Sequence, residues 1–291
     1  MENRRKKRNG LGKVLRCAWS EYIGWLFNPR VAVFFAMLFF IYQFAAQSMI
    51  EHAEKMGQPL GVFDIFIAVG NSYQMMAIMP SVFLLLIGDC PKNDGNMFLY
   101  VARAGRYHWF LGQVLMGIMA AVTFIGTVFL ACFMMGAGHA EYSGGWSSVV
   151  TEYHLLYPDD AQNLTSSFIT GRLYNNFTPN EALFYTITLL FAMLVFLYLL
   201  KLICFLGGNP MAGLPAGITL IGVGCALMLL DIKIKWLFPM AHALEWQHCD
   251  EVLKTMEVSM TQSYLYFAVW ILVLFTAGVI LVERYNFTKK E

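Results

Sequence analysis

The sequence predicts an all-α integral membrane protein with six transmembrane helices. Of its 291 residues, 58% are hydrophobic and 13% are charged, whereas about a quarter of the residues in an ordinary soluble domain are charged. Apolar runs of about 20 residues can cross the hydrocarbon core as helices, because a helix satisfies its own backbone hydrogen bonds. Such runs lie at about residues 31–50, 62–88, 109–135, 182–207, 211–230 and 264–282.

The first 30 residues form a separate region, a basic N-terminus followed by an amphipathic helix. Residues 4–8 are all lysine or arginine. From residue 11 onward apolar side chains recur at helical spacing until residues 28–29, Asn-Pro, which predicts a helix lying in the membrane interface. Its apolar face includes Val14, Leu15, Tyr22 and Trp25. A simpler interpretation also stands, in which the region is a basic anchor that only fixes the topology.

The distribution of lysine and arginine predicts the orientation, because these residues are retained on the cytoplasmic side of short loops. With the N-terminus inside, 15 of the 20 lysine and arginine residues fall in inside segments. Both termini are therefore predicted to be cytoplasmic, and residues 31–291 form one six-span transmembrane domain. Loops 136–181 and 231–263 then face outward, and segment 89–108, between the second and third spans, faces the cytosol.

Polar side chains inside spans are costly to insert, so each one is a functional candidate. Their spacing places them on one face of each helix, and they are Asp64, Asn71 and Gln74 in the second span and Gln43 and Gln47 in the first. These five residues form a candidate translocation path. The alternative is structural, with Asp64 reaching the headgroups and the amides bonding between helices. Pro80 is predicted to kink the second span.

The sequence carries no recognisable catalytic motif. A phosphate-binding loop needs G-x-x-x-x-G-K-[ST], while H-E-x-x-H and G-x-S-x-G mark metalloproteases and serine hydrolases; none of these patterns occurs. His242, His248 and Cys249 resemble metal ligands but lack the paired short spacings of a zinc site. The six cysteines predict no disulfide framework. The chain is therefore predicted to be neither an ATPase nor another enzyme, with no metal or cofactor of its own.

Segment 89–108 is predicted to hold a short cytosolic helix, which begins at residues 94–95, Asp-Gly, and ends before Gly105. Its apolar side chains are Met97, Phe98, Tyr100 and Val101, with Arg103 and Arg106 beside them. We expect this apolar patch to be exposed. An exposed apolar patch with a charged rim is typical of a docking site.

These features together resemble the type 2 ABC transporter permeases. The resemblance is carried by the amphipathic helix at 11–28, the six spans with both ends inside, and the stretch DGNMFLYVARAGRYHWFLGQVL after the second span. Gly95, Arg106, Leu111 and Gly112 stand where those permeases have a glycine-led helix, a basic turn and a Leu-Gly-Lys sequence. Gln113 stands where the lysine is usual, and residues 104–105, Ala-Gly, where Thr-Pro is usual, which indicates a divergent branch.

The resemblance implies the transmembrane permease subunit of an ATP-driven exporter in a bacterial plasma membrane. The helix before the first span would be an elbow helix. The helix in segment 89–108 would be a coupling helix, on which a separate cytosolic ABC ATPase docks through Gly95 and the six side chains named above. ATP and Mg²⁺ would bind to that partner. A second permease subunit, identical or related, and membrane lipid are the other expected partners, and no nucleic-acid partner is expected. Residues 236–246 would form re-entrant helices.

Two other classes of function remain open at the level of the sequence. A secondary transporter or channel would use Asp64 as an ion- or proton-coupling group. It would need a second buried charge, and Lys201, near the inner end of the fourth span, is the other candidate. A membrane scaffold with no transport of its own would use segment 89–108 for docking alone. No residue pattern selects a substrate.

Overall fold

A computed structural model describes residues 2–92, 95–160, 168–250 and 255–287, with side chains from residue 10 onward except at 95 and 96. The structure is 77% helical and all-α, as predicted. Asp94, at the predicted start of the cytosolic helix, lies outside the described residues, as do the side chains of the basic cluster at residues 4–8.

The elements follow one another along the chain with short connections. In order, the α-helices are α1 (Glu2–Leu26), α2 (Val31–Ile41), α3 (Gln47–Met56), α4 (Asp64–Asn71), α5 (Tyr73–Leu86), α6 (Gly95–Ala104), α7 (Arg106–Gly136), α8 (Ser148–Leu156), α9 (Gly171–Tyr174), α10 (Pro179–Leu206), α11 (Gly213–Leu229), α12 (Pro239–Ala243) and α13 (Met260–Arg284). A π-helical turn, Tyr42–Ala46, joins α2 to α3, and 3-10 helices at Lys233–Leu237 and Glu245–His248 flank α12. Strands β1 (Leu60–Gly61) and β2 (Ala140–Glu141) pair in parallel.

Four helices in the described part of the chain are long and apolar enough to cross a membrane, and a fifth span is present if one bent pair is counted as one. The four are Val31–Met56, α7, α10 and α13, and the bent pair is α4 with α5. The sixth predicted span, 211–230, is the shorter α11, of 17 residues. Several apolar helices of this length are consistent with a membrane protein.

Helices α10 and α13 begin at capping boxes, in which a hydroxyl residue and the residue three positions later bond to each other's backbone N–H. Thr178 and Glu181 form the box at α10, and Ser259 and Gln262 form the box at α13. Both helices therefore start a few residues before the predicted spans, because capping residues are polar. The core is centred on α10, because 72% of the most apolar stretch of this helix is buried, compared with 22% of the corresponding stretch of α13.

The second predicted span is not one continuous helix. Ser72 has an extended backbone, with ψ of 132°, and α4 and α5 meet there at an angle of 82°. Pro80, where the sequence predicted the kink, lies inside α5. The predicted span at 62–88 is therefore broken into two helices, and the chain direction changes at Ser72 rather than at the predicted kink, Pro80.

Helix α1 packs lengthwise on the first half of α7. Cys17 touches the turn at Gly112, where an added Cβ would lie 2.8 Å from the Cys17 Cβ. Further along both helices, Tyr22 and Thr123 share a hydrogen bond of 2.7 Å between their hydroxyl oxygens. The two helices therefore run in the same direction. Of the predicted apolar face, Val14 and Trp25 are buried and Leu15 is 49% exposed.

The segment predicted as outer loop 136–181 folds against the end of α3. The ring of Tyr153, on α8, stacks on His52 with centroids 3.8 Å apart. Lys55 forms an ion pair with Asp160. The described parts of this segment, 136–160 and 168–181, therefore form a folded cap rather than an open loop.

Candidate functional site

A buried polar network forms where the break between α4 and α5 meets α10 and the segment that follows α12. Asn71, the last residue of α4, is 3% exposed. Its amide nitrogen donates to Thr186 Oγ1 at 3.1 Å and to Glu245 Oε1 at 3.3 Å. In return, the backbone N–H of Glu245 donates to Asn71 Oδ1 at 3.2 Å. One amide side chain therefore ties three parts of the chain together.

Two further contacts fix this junction. The indole N–H of Trp246 donates to the backbone oxygen of Asn71 at 2.9 Å, which satisfies a carbonyl that the helix break leaves without its usual partner. A Cβ added at Gly70 would lie 2.2 Å from Thr186 Cγ2. Glycine at this position therefore allows α4 and α10 to approach closely enough for Asn71 to bond to Thr186.

Glu245 is the most deeply buried acidic side chain in the network, with 0% exposure. The Thr186 hydroxyl donates to its Oε1, while its Oε2 has no hydrogen-bond partner among the described residues. Burial raises the pKa of the Glu245 carboxyl from 4.5 to about 8, against the bonds from Thr186 and Asn71, which lower it. This carboxyl can therefore gain or lose a proton close to neutral pH.

Asp64, Gln74, Gln43 and Gln47 do not join this network. The carboxylate of Asp64 accepts from the Gly61 N–H at 2.8 Å and from the Ser147 hydroxyl. Gln74 is exposed on α5 and accepts a bond from Ser72.

The first-span amides also lie apart, since Gln43 is exposed and Gln47 donates to Glu51. The five residues predicted as a translocation path therefore do not share one hydrogen-bond network, and the path stays a prediction. The break at Ser72 separates Gln74 from Asn71, because it turns α5 away from the axis of α4.

The three residues that resemble metal ligands in the sequence, His242, His248 and Cys249, are buried, and the two histidines meet at a serine. His242 and His248 both contact the hydroxyl of Ser263, at 2.8 and 2.7 Å. Cys249 lies in an isolated antiparallel bridge with Met256. Across the described ranges no group of three or more metal-ligand side chains converges.

Helix α6 forms where the sequence predicts a cytosolic helix and starts at Gly95, but its apolar face is turned inward. Met97 is fully buried, Phe98, Tyr100 and Val101 are half-buried, and Leu99 is 53% exposed. The expectation of an exposed Met97 is wrong, because the apolar stripe of α6 is covered by the chain's own helices. The Tyr100 hydroxyl donates to Ser20 Oγ of α1 at 2.6 Å.

The two arginines of this segment differ in their surroundings. Arg103 is exposed at the end of α6. Arg106 donates to the backbone oxygen of Glu283, at the end of α13, and its guanidinium lies 5.5 Å from the centre of the Phe287 ring. Arg106 therefore connects the start of α7 to the end of α13.

Lys201 connects the loop before α6 to the core. It is 4% exposed, and its ammonium group donates to the backbone oxygen of Cys90. Next to Cys90 in the chain, Asp89 forms an ion pair with Arg30 at 2.8 Å. From the sequence, Lys201 is recognisable only as a charged residue near the end of a span. Its partner cannot be predicted locally, because it is a backbone oxygen 111 positions away.

The fold and these sites define an all-helical protein with several helices able to span a membrane, a broken apolar helix with a buried carboxyl at the break, and a short helix anchored to α1. Comparisons with models of protein families, with curated proteins and with solved structures found no match for this chain.

Proposed function

We propose that this protein is the transmembrane permease subunit of an ATP-driven ABC exporter, and that a separate cytosolic ATPase docks on α6. The observation that carries the proposal is the setting of α6, which follows the second predicted span and is anchored on the core while one side stays exposed. The exposed side presents Leu99 and Arg103. Leu99 and Arg103 lie four residues apart and so share one face of a helix.

The anchoring of α6 offers a route by which a partner could act on the spans. Tyr100 bonds to α1, Arg106 bonds to the end of α13, and the loop before α6 bonds to α10 through Lys201. A force applied at Leu99 would therefore reach α1 through Tyr100, and α10 and α13 through the segments that flank α6. This arrangement suits a coupling element better than it suits a passive loop.

The docking surface that we propose is shifted from the one expected from the sequence. Met97 is buried in the chain itself, so Leu99 takes its place as the apolar contact. Phe98, Tyr100 and Val101 are half-buried and position the helix. Arg103 supplies the charge that would pair with an acidic rim on the ATPase.

Co-purification from the native host in mild detergent tests this proposal. We expect an ATP-hydrolysing subunit to accompany the wild-type chain and to be lost from the double variant Leu99→Asp, Arg103→Glu. The matched control is Leu155→Asp on α8, where the leucine is 70% exposed; this variant should retain the subunit. Retention of the ATPase by the double variant would contradict docking on α6.

A second candidate function, ion- or proton-coupled transport, is favoured by Glu245. This class of transporter needs a buried ionisable group. Asp64 and Glu245 are both buried, and Glu245 is the one whose second carboxyl oxygen, Oε2, has no hydrogen-bond partner among the described residues. Transport by the purified chain in vesicles, driven by a proton gradient without ATP and abolished by Glu245→Gln, would favour this candidate over the exporter. ATPase binding without any transport would favour a scaffold.

A further inference from the structure

A continuous line of close polar contacts runs between two backbone carbonyls near the predicted outer side. His242 Nε2 lies 2.8 Å from the Trp236 oxygen, and His242 Nδ1 lies 2.8 Å from Ser263 Oγ. Ser263 Oγ in turn lies 2.7 Å from His248 Nε2, and His248 Nδ1 lies 2.9 Å from the Leu244 oxygen. His248 and Ser263 are completely buried, and His242 is 5% exposed. We call these three side chains the histidine relay.

The three neutral side chains of the relay carry one hydrogen too few for its four contacts. A carbonyl oxygen can only accept, so each outer ring nitrogen must carry a hydrogen. In a neutral imidazole the other nitrogen is then an acceptor, and both inner nitrogens, His242 Nδ1 and His248 Nε2, face Ser263 Oγ. The serine hydroxyl has one hydrogen and can donate to only one of them. Three neutral side chains therefore supply three hydrogens for four contacts, and one contact has lone pairs on both sides.

We propose that the histidine relay is a binding site for one proton. Uptake of a proton by either ring gives its inner nitrogen an N–H, which donates to Ser263 Oγ, while the Ser263 hydroxyl donates to the other ring. All four contacts then hold a hydrogen. A second proton would place two imidazolium rings on either side of one hydroxyl, and their mutual repulsion opposes it.

The surroundings set the pH at which the proton is taken up. Among the described residues, the ionisable groups near the relay include Lys235, Asp231, Glu245, Glu257, Cys249, Arg172 and Tyr266. Lys235 is held by Asp231 and Gln247 and lowers the pKa of His248. The Tyr266 ring stacks on His242 with centroids 4.0 Å apart. Glu257 and Arg172 lie further out, Glu257 bonding through its backbone N–H to the His248 oxygen and Arg172 near Cys249.

Burial is the main influence on both rings. It lowers the pKa of His242, and it lowers the pKa of His248 from 6.5 to about 4. The missing hydrogen acts in the opposite direction, because protonation completes the relay. We therefore expect one proton to be taken up on the acid side of the ordinary histidine pKa of about 6.5, and above the pKa of about 4 that the surroundings give His248.

Nitrogen-15 NMR of the full chain, labelled at histidine and held in detergent or nanodiscs, tests the proposal. At about pH 8, above the ordinary histidine pKa of about 6.5, His242 should carry its hydrogen on Nε2 and His248 on Nδ1. On acidification both rings should shift in one step that takes up a single proton. The outcome that overturns the proposal is either the same tautomer in both rings, no uptake above pH 4, or two protons taken up in that range.

Two variants separate the relay from general effects of burial. Ser263→Ala removes the bridging hydroxyl, so the two rings should lose their shared step and neither should take up a proton until lower pH. His139→Gln is the control, because His139 lies on the surface beside Glu54, and it should leave the step unchanged. A shared step that persists in Ser263→Ala would contradict the relay, and the wild-type spectrum remains decisive even if that variant fails to fold.

Discussion

Replacing Asn71 by alanine should loosen the junction between α4, α10 and the segment after α12. The side chain makes bonds to Thr186 and Glu245 and accepts the Glu245 N–H. Alanine leaves this N–H buried without its partner and removes one of the two donors to the Glu245 carboxyl. A stranded buried donor costs about 1–3 kcal/mol, and each lost hydrogen bond costs about 0.5–1.5 kcal/mol. We therefore expect the free energy of unfolding to fall by about 2–4 kcal/mol, a range built from these values.

The assay is thermal or denaturant unfolding in detergent, with Gln74→Ala as the matched control. Gln74 is also an amide in the same broken helix pair, but it is exposed, so its variant should change the free energy of unfolding by less than about 0.5 kcal/mol. Thr186→Ala combined with Asn71→Ala should cost less than the sum of the single changes, since both act on one network. Equal stability of Asn71→Ala and Gln74→Ala would refute the assignment of Asn71 as the tie at the break.

Three further predictions concern the same parts of the molecule. The folded pKa of Glu245 is raised to about 8 from 4.5, so the protonated carboxyl contributes stability that is fully present below pH 4.5 and is lost as pH rises toward 8. Glu245→Gln should remove this pH dependence from the free energy of unfolding, measured against pH. An unchanged pH dependence in the variant would contradict the prediction. Gly70→Ala should lower the free energy of unfolding by about 1–3 kcal/mol through its clash with Thr186, and a neutral result would show that α4 and α10 can separate freely. Lys201→Met should raise hydrogen exchange in the loop around Cys90, and unchanged protection would argue against the Lys201 bond.

The long apolar helices could be predicted from the sequence, because apolar length is a local property. The break at Ser72 could not be predicted in this way. The helices on both sides of it are largely apolar, and Pro80 is the stronger local signal although it lies inside α5. The break depends on partners that replace the lost helical bonds, and the indole of Trp246, which bonds to Asn71, is 175 positions away.

The candidate site was predictable in its residue types but not in its groupings. Asn71 was recognised as a costly polar residue in a span, yet Glu245 was read as part of an outer loop because nothing local shows that it is buried. The pattern of α6 correctly marked an apolar stripe at Met97 and Val101. It could not show that the chain itself covers Met97, because periodicity identifies an apolar face without identifying what lies against it.

Site-specific photo-cross-linking from α6 in intact cells tests the central claim most directly. A photoreactive residue in place of Leu99, which is 53% exposed, should form a cross-link to an ATP-hydrolysing protein. The same residue in place of Leu155, on the opposite predicted side and 70% exposed, should not. Cross-linking of the ATPase from Leu99 alone is the result that the exporter proposal predicts, and the absence of any ATP-hydrolysing partner at Leu99 would contradict it.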